Sequence, residues 1–167
     1  MGVIGDRFAF WEPVRLGLKA AVDDLAEEDL AWEPPNGAMS IHKQLRHIIT
    51  AEEMWVQAAL RGGSYTVRSY RVLPTKEAIL EDLDRVHQRT LEYLATLDEQ
   101  GDPEVLRHTV LVPAGPFEGQ HLRVGDILYN LIDHECHHRG QIVLIRRLMG
   151  KPCERFVNAL AFMEGNE

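Results

Sequence analysis

Apolar residues recur at helical spacing along four long stretches of the chain. The first stretch runs from about Asp6 to Glu27, and the second runs from the capping residue Ser40 to the Gly62 and Gly63 pair. The third lies between Thr75 and Gly101, and the fourth between Gly125 and Gly150. Each has an apolar face and terminal residues that favour helix starts and stops. The pattern therefore predicts an all-α protein, built as a four-helix bundle.

Two segments break the helical spacing. The proline- and glycine-containing segment Leu30–Met39 is predicted to be a connecting loop. In residues 104–123, VLRHTVLV alternates between apolar and polar positions, PAGP favours a turn, and FEGQHLRV could return as a second strand. A short hairpin or irregular crossover is therefore expected before the last long helix. After Pro152, the sequence ERFVNALAFME predicts a short C-terminal helix.

The fourth predicted helix carries the segment HECHHRGQ, from His134 to Gln141. Residues four apart on a helix are separated by about 40° and about 6 Å, so the imidazoles of His134 and His138 can converge on one ion. The apolar stripe of this helix lies within about 20–80° of His134, so the pair should face the core. The stripe consists of Ile127, Leu131, Ile142 and Ile145. Buried imidazoles need polar partners, which a shared cation would supply.

Other residues near this pair are candidate ligands or could hydrogen-bond to the ligands. His134 with His137 is a competing pair, centred further from the apolar stripe. Cys136, at about 200° from His134, is excluded as a ligand to the same ion. Asn130 and Gln141, at about −40° and −20°, could hydrogen-bond the ligand rings or merely cap the ends of the polar core.

A third candidate ligand, His47, lies on the second predicted helix. The residues on its face are mostly small or apolar, so His47 is predicted to point inward, whereas His42 is about 140° away and should be exposed. These neighbours are Ala51, Met54 and Ala58. A lone inward histidine is more often satisfied by a carbonyl or hydroxyl group. Histidines from two helices that meet in the core are most simply satisfied by one divalent ion. His87, on the third helix, should be partly exposed rather than functional.

Composition narrows the possible partners. The 167 residues form a single expected domain with 45% hydrophobic and 26% charged content. The net charge is −8 and no basic tract is present, so nucleic acid is not expected as a partner. No signal peptide or run of about 20 apolar residues suggests a membrane. With two cysteines, Cys136 and Cys153, the chain suits a reducing cytoplasm.

The layout of four helices, with a histidine early in the second and HxxxHxxGQ in the fourth, resembles the DinB superfamily. The likeness is carried by His47 in LRHIITAEEMW and by His134, His138, Gly140 and Gln141 in the fourth helix. The resemblance implies that His47, His134 and His138 bind a divalent metal with water on the remaining sites. Zinc or nickel is the expected ion, with iron or manganese as alternatives. Dimers are common in that family, and some relatives transfer thiols such as bacillithiol or mycothiol to electrophiles or act as mycothiol-dependent isomerases.

An open three-histidine site is typical of catalytic rather than structural metals. The expected function is therefore that of a metal-dependent enzyme, such as a low-molecular-weight thiol S-transferase. A metal-dependent hydrolase and a non-enzymatic bundle that binds metal or a small molecule are the alternatives. No general base is identified, because Glu52 and Glu53 should point away from the ion. A second apolar strip on the fourth helix predicts either cover by the hairpin or a homodimer seam; it comprises Leu128, Ile132, Cys136 and Val143.

Overall fold

A computed structural model of the chain describes residues 2–35 and 37–153, which are mostly helical and include one small sheet. The predicted C-terminal helix after Pro152 would fall at residues 154–167, outside the described residues. The elements are α1 (Val3–Arg7), α2 (Trp11–Ala20), α3 (Glu27–Ala31), α4 (Ile41–Glu53), α5 (Lys76–Gln100), β1 (Thr109–Leu111), β2 (His121–Arg123) and α6 (Val124–Leu148). A π-helix, Met54–Leu60, extends α4, and a 3-10 turn, Val105–Arg107, precedes β1.

The first predicted helix is wrong as a single element. It is divided into α1 and α2 by a turn at residues 8–10, and α2 already ends at Ala20. Pro13 explains the division, because proline has no N–H group and is tolerated only in the first turn of a helix. Starting α2 at Trp11 places Pro13 in that first turn. The predicted loop is also shorter than expected, since α3 occupies Glu27–Ala31 and Asp29 accepts a hydrogen bond from the Ala26 N–H at 3.0 Å.

The other three long helices begin where the sequence predicts. Ser40 caps α4 by accepting a hydrogen bond from the Lys43 N–H, and Thr75 caps α5 by accepting one from the Ala78 N–H. Gly101 ends α5 with a φ of 66°, a left-handed conformation that glycine adopts without steric cost. The predicted hairpin is confirmed: β1 and β2 are antiparallel, with Val110 opposite Leu122. None of the helices in the described ranges is long and apolar enough to cross a membrane.

Two clusters of buried apolar side chains fill the interior. One joins α2 and the π-helix to the start of α6, and the other joins α2, α4 and α5 to the end of α6. The second apolar strip of α6 is largely covered within the chain. Leu128 is fully buried, Ile132 packs on the first cluster and Val143 packs on the second. A homodimer seam on this strip stays a prediction.

A buried ionic network also connects the helices between the two clusters. Arg15 of α2 donates from Nε to Glu135 of α6 at 2.8 Å, and from Nη2 to Glu52 of the α4 helix at 2.5 Å. All three side chains are at most 2% exposed. Trp11 Nε1 also donates to Glu135, at 2.9 Å. One guanidinium from α2 therefore bonds carboxylates from two other helices.

His87 belongs to the same network, so its predicted partial exposure is wrong. Its Nδ1 lies 3.1 Å from Glu52 Oε1, and its Nε2 lies 3.4 Å from Glu12 Oε2. Burial by itself lowers the pKa of His87, but the hydrogen bonds with Glu12 and Glu52 outweigh burial and raise it. On a helical wheel, His87 lies beside the apolar stripe of α5. The carboxylates that contact it belong to other helices, so its burial does not follow from the sequence of α5 alone.

Candidate metal centre

Three imidazoles from two helices meet at one point between α4 and α6. His134 Nε2 lies 3.0 Å from His47 Nε2 and 3.1 Å from His138 Nε2. The three ligand atoms all lie within 4.8 Å of one another, and the rings meet edge to face. The predicted set of His47, His134 and His138 is therefore brought together across 87 residues of sequence between His47 and His134.

These distances suit a shared metal ion. Two nitrogens that each lie about 2.0–2.1 Å from one ion are about 2.9 Å apart at a right angle and about 3.3 Å apart at the tetrahedral angle. The observed separations of 3.0 and 3.1 Å fall between these values. With Nε2 as the shared atom on each ring, the cluster could hold a divalent ion on one side and leave the other side open.

Exposure increases from one ligand to the next. His138 is buried at 5% exposure, His134 is half-buried, and His47 is exposed. The predicted burial of His47 is therefore wrong, although its ring does point at His134 and His138. The predicted exposure of His42 is also wrong, because His42 is buried with its Nε2 2.8 Å from Glu27 Oε1. The centre lies at the margin of the core, where one side can reach solvent.

The exposure of His47 and the burial of His42 depend on which face of α4 packs into the core. Within α4 itself, the face that packs into the core is defined by four large aliphatic residues. These residues are Ile41, Leu45, Ile48 and Ile49. Their mean direction is roughly 145° from His47 on a helical wheel, so His47 lies on the side of α4 away from this face and is exposed. Met54 and Ala58, which the wheel places on the face of His47, are buried but belong to the π-helix that follows α4.

Gln44 supports the most buried ligand, a role that the sequence analysis missed. His138 Nδ1 lies 2.9 Å from Gln44 Oε1, and Gln44 Nε2 donates to the Met39 carbonyl oxygen at 3.3 Å. The second contact orients the amide so that its oxygen faces His138. Nδ1 then carries the proton, and the lone pair of His138 Nε2 points at the other two histidines. The only sequence signal was a polar residue one turn before His47 on the same helix.

Replacing Gln44 with leucine should weaken metal binding about 10–100-fold, because the tautomer and orientation of His138 are no longer fixed. Isothermal titration with zinc measures the change. Gln57→Leu is the matched control, since Gln57 is also buried but accepts its hydrogen bond from Arg89, away from the cluster. Equal loss in both variants would contradict the assigned role of Gln44.

The pKa values of the three histidines are all lowered, which favours the neutral form of the rings. Burial, with the neighbouring rings of His47 and His137, lowers the pKa of His134 to about 4. Burial, with His134 and His47, also lowers the pKa of His138 to about 4, and burial lowers the pKa of His47. The rings of His134 and His138 are therefore neutral at pH 7, the form in which imidazole is a metal ligand.

The remaining residues of the HECHHRGQ segment lie outside this set. His137 is exposed, and Gln141 Nε2 lies 2.8 Å from its Nε2. A hydrogen bond with the Gln141 side chain also raises the pKa of His138 against the larger effect of burial. Cys136 is half-buried and is not among the converging ligand atoms. Asn130 is exposed, and the supporting roles of Asn130 and Gln141 stay predictions.

The carboxylates considered as general bases do not reach the cluster. Glu52 belongs to the Arg15 network, and Glu53 is bound by Arg68 and Arg89. A groove of about 370 Å³ opens beside His47 instead, lined by α4 and the loop at residues 64–74. A larger apolar groove of about 560 Å³, between α1 and α5, lies away from the three histidines.

The sequence matches the family model of the DinB superfamily over residues 12–142. One solved structure similar to the chain is a DinB-like protein from Bacillus cereus ATCC 10987, with a TM-score of 0.68 and 22% sequence identity. The match covers 87% of this chain and 92% of the solved chain, and at this identity it shows the fold alone. No curated protein matches the sequence.

Proposed function

The chain belongs to the DinB superfamily, and we propose that it is a metal-dependent enzyme whose ion is held by His47, His134 and His138. The observation that carries this proposal is the convergence of three Nε2 atoms at the margin of the core, with one ligand exposed. Three protein ligands leave positions open for a reactant, as catalytic zinc sites do. Zinc or nickel is the ion that we propose.

The reaction that we propose is the transfer of a low-molecular-weight thiol to an electrophile, as the resemblance to the family implies. When bound, a divalent ion supplies Lewis-acid chemistry that lowers the pKa of a thiol or a water molecule. The chain's own residues orient the ligand rings through Gln44 and leave His47 open to the groove beside it. We further propose a cytoplasmic homodimer with the four-helix bundle arrangement of α2, α4, α5 and α6, and with neither nucleic acid nor membrane as a partner.

The decisive experiment measures turnover by protein loaded with zinc or nickel. Bacillithiol, mycothiol and glutathione are each combined with a panel of electrophiles, and the loss of free thiol is followed. The wild-type protein should consume one of these thiols, and His47→Ala should lose that activity while keeping its fold. His47 is exposed, so its removal leaves the packed core intact.

The control is His137→Ala, which removes a nearby exposed imidazole that lies outside the converging set. It should retain activity. Consumption of an ester or amide substrate without thiol would replace the thiol-transfer proposal with hydrolysis. Metal binding without turnover of any substrate, together with unfolding when the ion is removed, would favour a structural role for the ion.

A further inference from the structure

The walls of the groove beside His47 carry positive charge without acidic residues. Lys43 and Arg46 come from α4, and Arg68 comes from the loop at residues 64–74. The charged residues that line this groove are therefore all basic, whereas the chain as a whole has 26 acidic and 18 basic residues. A groove lined by charge of one sign attracts ligands of the other sign.

Arg46 differs from the other two cations because no carboxylate of the described residues is in salt-bridge contact with it, and Glu27 acts on it only as a more distant negative charge. Arg46 is 7% exposed, and among the described residues no carboxylate oxygen lies within 4.0 Å of its guanidinium group. Its Nη1 donates to the Leu73 carbonyl oxygen at 3.1 Å. By contrast, Lys43 pairs with Glu33 at 2.6 Å, and Arg68 pairs with Asp82 at 2.7 Å.

A guanidinium that is nearly buried without a carboxylate is costly, since charged groups lose hydration energy on burial. Burial lowers the pKa of Arg46, although an arginine stays protonated. The ring of Tyr70, with its centroid 5.8 Å from Arg46 Cζ, offers a cation–π contact that offsets part of this cost. The other N–H donors of Arg46 have no protein acceptor among the described residues, and none of them is a buried unpaired atom, so they are open to solvent.

Contacts within the protein fix the loop that forms one wall of the groove. Arg68 ties the loop to α4 and α5 through Glu53 and Asp82, and its backbone N–H donates to Thr50 Oγ1 at 2.9 Å. Leu73, whose carbonyl accepts from Arg46, is buried in the second core cluster. The Arg46 guanidinium is therefore bound to a loop that is itself bonded to α4 and α5.

We propose that Arg46 binds the carboxylate or phosphate group of a small anionic substrate whose reacting atom lies at the three histidines. The proposal rests on the proposed function, and it adds the substrate class. The planar guanidinium can form two parallel hydrogen bonds to such an oxyanion. Arg46 and His47 are adjacent on α4, and a volume of about 370 Å³ accommodates a small molecule that reaches both.

The test compares two thiols of equal chain length on cobalt-loaded protein, followed through the visible absorption of the metal. One is 3-mercaptopropionate, which carries a carboxylate, and the other is the neutral 3-mercaptopropan-1-ol. Wild-type protein should bind the carboxylate about tenfold more tightly or better, as expected for a charge-assisted hydrogen bond. Arg46→Gln should bind the two thiols equally, and Arg46→Lys should keep an intermediate preference.

Lys43→Gln is the matched control, because Lys43 lines the same groove but is already paired with Glu33. It should keep the wild-type preference, and thermal melts confirm that all variants fold. Inorganic phosphate, whose binding needs no metal, is titrated by calorimetry into the metal-free forms of the same proteins. It should bind to wild-type protein and to Lys43→Gln, and at least about tenfold more weakly to Arg46→Gln.

The thiol and phosphate measurements distinguish failure of the anion site from failure of the proposed thiol chemistry. If neither thiol binds but phosphate binding depends on Arg46, the proposed thiol chemistry fails and the anion site stands. If both thiols bind wild-type protein equally, or if Arg46→Gln retains the preference for the carboxylate, the anion site is overturned while the metal centre stands. If Arg46→Gln also binds phosphate as tightly as wild-type protein, the anion site is overturned without reference to any metal.

Discussion

Arg15→Met is expected to lower the free energy of unfolding by about 3–5 kcal/mol, because it leaves two buried carboxylates without their cation. Arg15 is 2% exposed and bonds Glu52 and Glu135, which lie 37 and 120 residues away in the sequence. Methionine fills much of the same volume, so the loss reflects charge rather than an empty cavity. Urea denaturation followed by circular dichroism measures the change. Lys19→Met removes an exposed ion pair with Asp84 and should cost at most about 1 kcal/mol.

The pH dependence gives a second test of the same network. Burial by itself raises the pKa of Glu52, but Arg15 and His87 outweigh burial and lower it to about 2. A carboxyl group whose folded pKa is below its ordinary value of 4.5 stabilises the protein above pH 4.5. That contribution is lost as the pH falls toward 2. Arg15→Met should flatten this acid dependence, and an unchanged acid dependence would contradict the network.

A triple variant distinguishes the pairing of charges from the packing of the arginine. When Arg15→Met is combined with Glu52→Gln and Glu135→Gln, no uncompensated carboxylate remains. The triple variant should therefore be more stable than Arg15→Met alone. If Arg15→Met and Lys19→Met cost the same free energy, the burial of the network would be contradicted.

Local signals in the sequence were enough to predict most of the fold. Ser40 and Thr75 each supply a side-chain oxygen to the first turn of a helix, and glycine at position 101 supplies the left-handed residue that ends one. The hairpin follows from alternation that is equally local. The prediction of one continuous first helix is wrong because its apolar spacing does not account for Pro13. A proline in the interior of a helix destabilises it by more than one additional apolar residue stabilises it.

The sequence predicts the relative position of His134 and His138 better than the orientation of His47. His134 and His138 share one rigid helix, so their spacing alone fixes their relative position. His47 lies on another helix, and its direction depends on which face of α4 packs into the core. The wheel groups His47 with Met54 and Ala58, which are buried in the π-helix that follows α4, whereas three isoleucines and Leu45 define the core face of α4 itself. Gln44 and Arg46 were missed because their roles depend on partners in α6 and in the loop at residues 64–74.

His138→Ala is expected to weaken metal binding by at least about a hundredfold, more than the loss of a residue that only orients a ligand. The reason is that His138 Nε2 is one of three converging donor atoms and its ring is held by Gln44. Zinc titration and elemental analysis of protein purified without an affinity tag measure the loss. His137→Ala is the control and should bind as wild-type protein does. A loss in His137→Ala without a loss in His138→Ala would contradict the assigned ligand set.

Imidazole added in solution separates the contributions of the buried and exposed ligands. Since the pKa of His138 is lowered to about 4, protons do not compete for it at pH 7, and the measured loss reports the missing ligand itself. His47→Ala opens an exposed position next to the groove, which imidazole can enter, whereas His138→Ala opens a position beneath the surface. Imidazole should therefore restore metal binding to His47→Ala and much less to His138→Ala. Equal rescue of the two variants would contradict the observed gradient of burial across the centre.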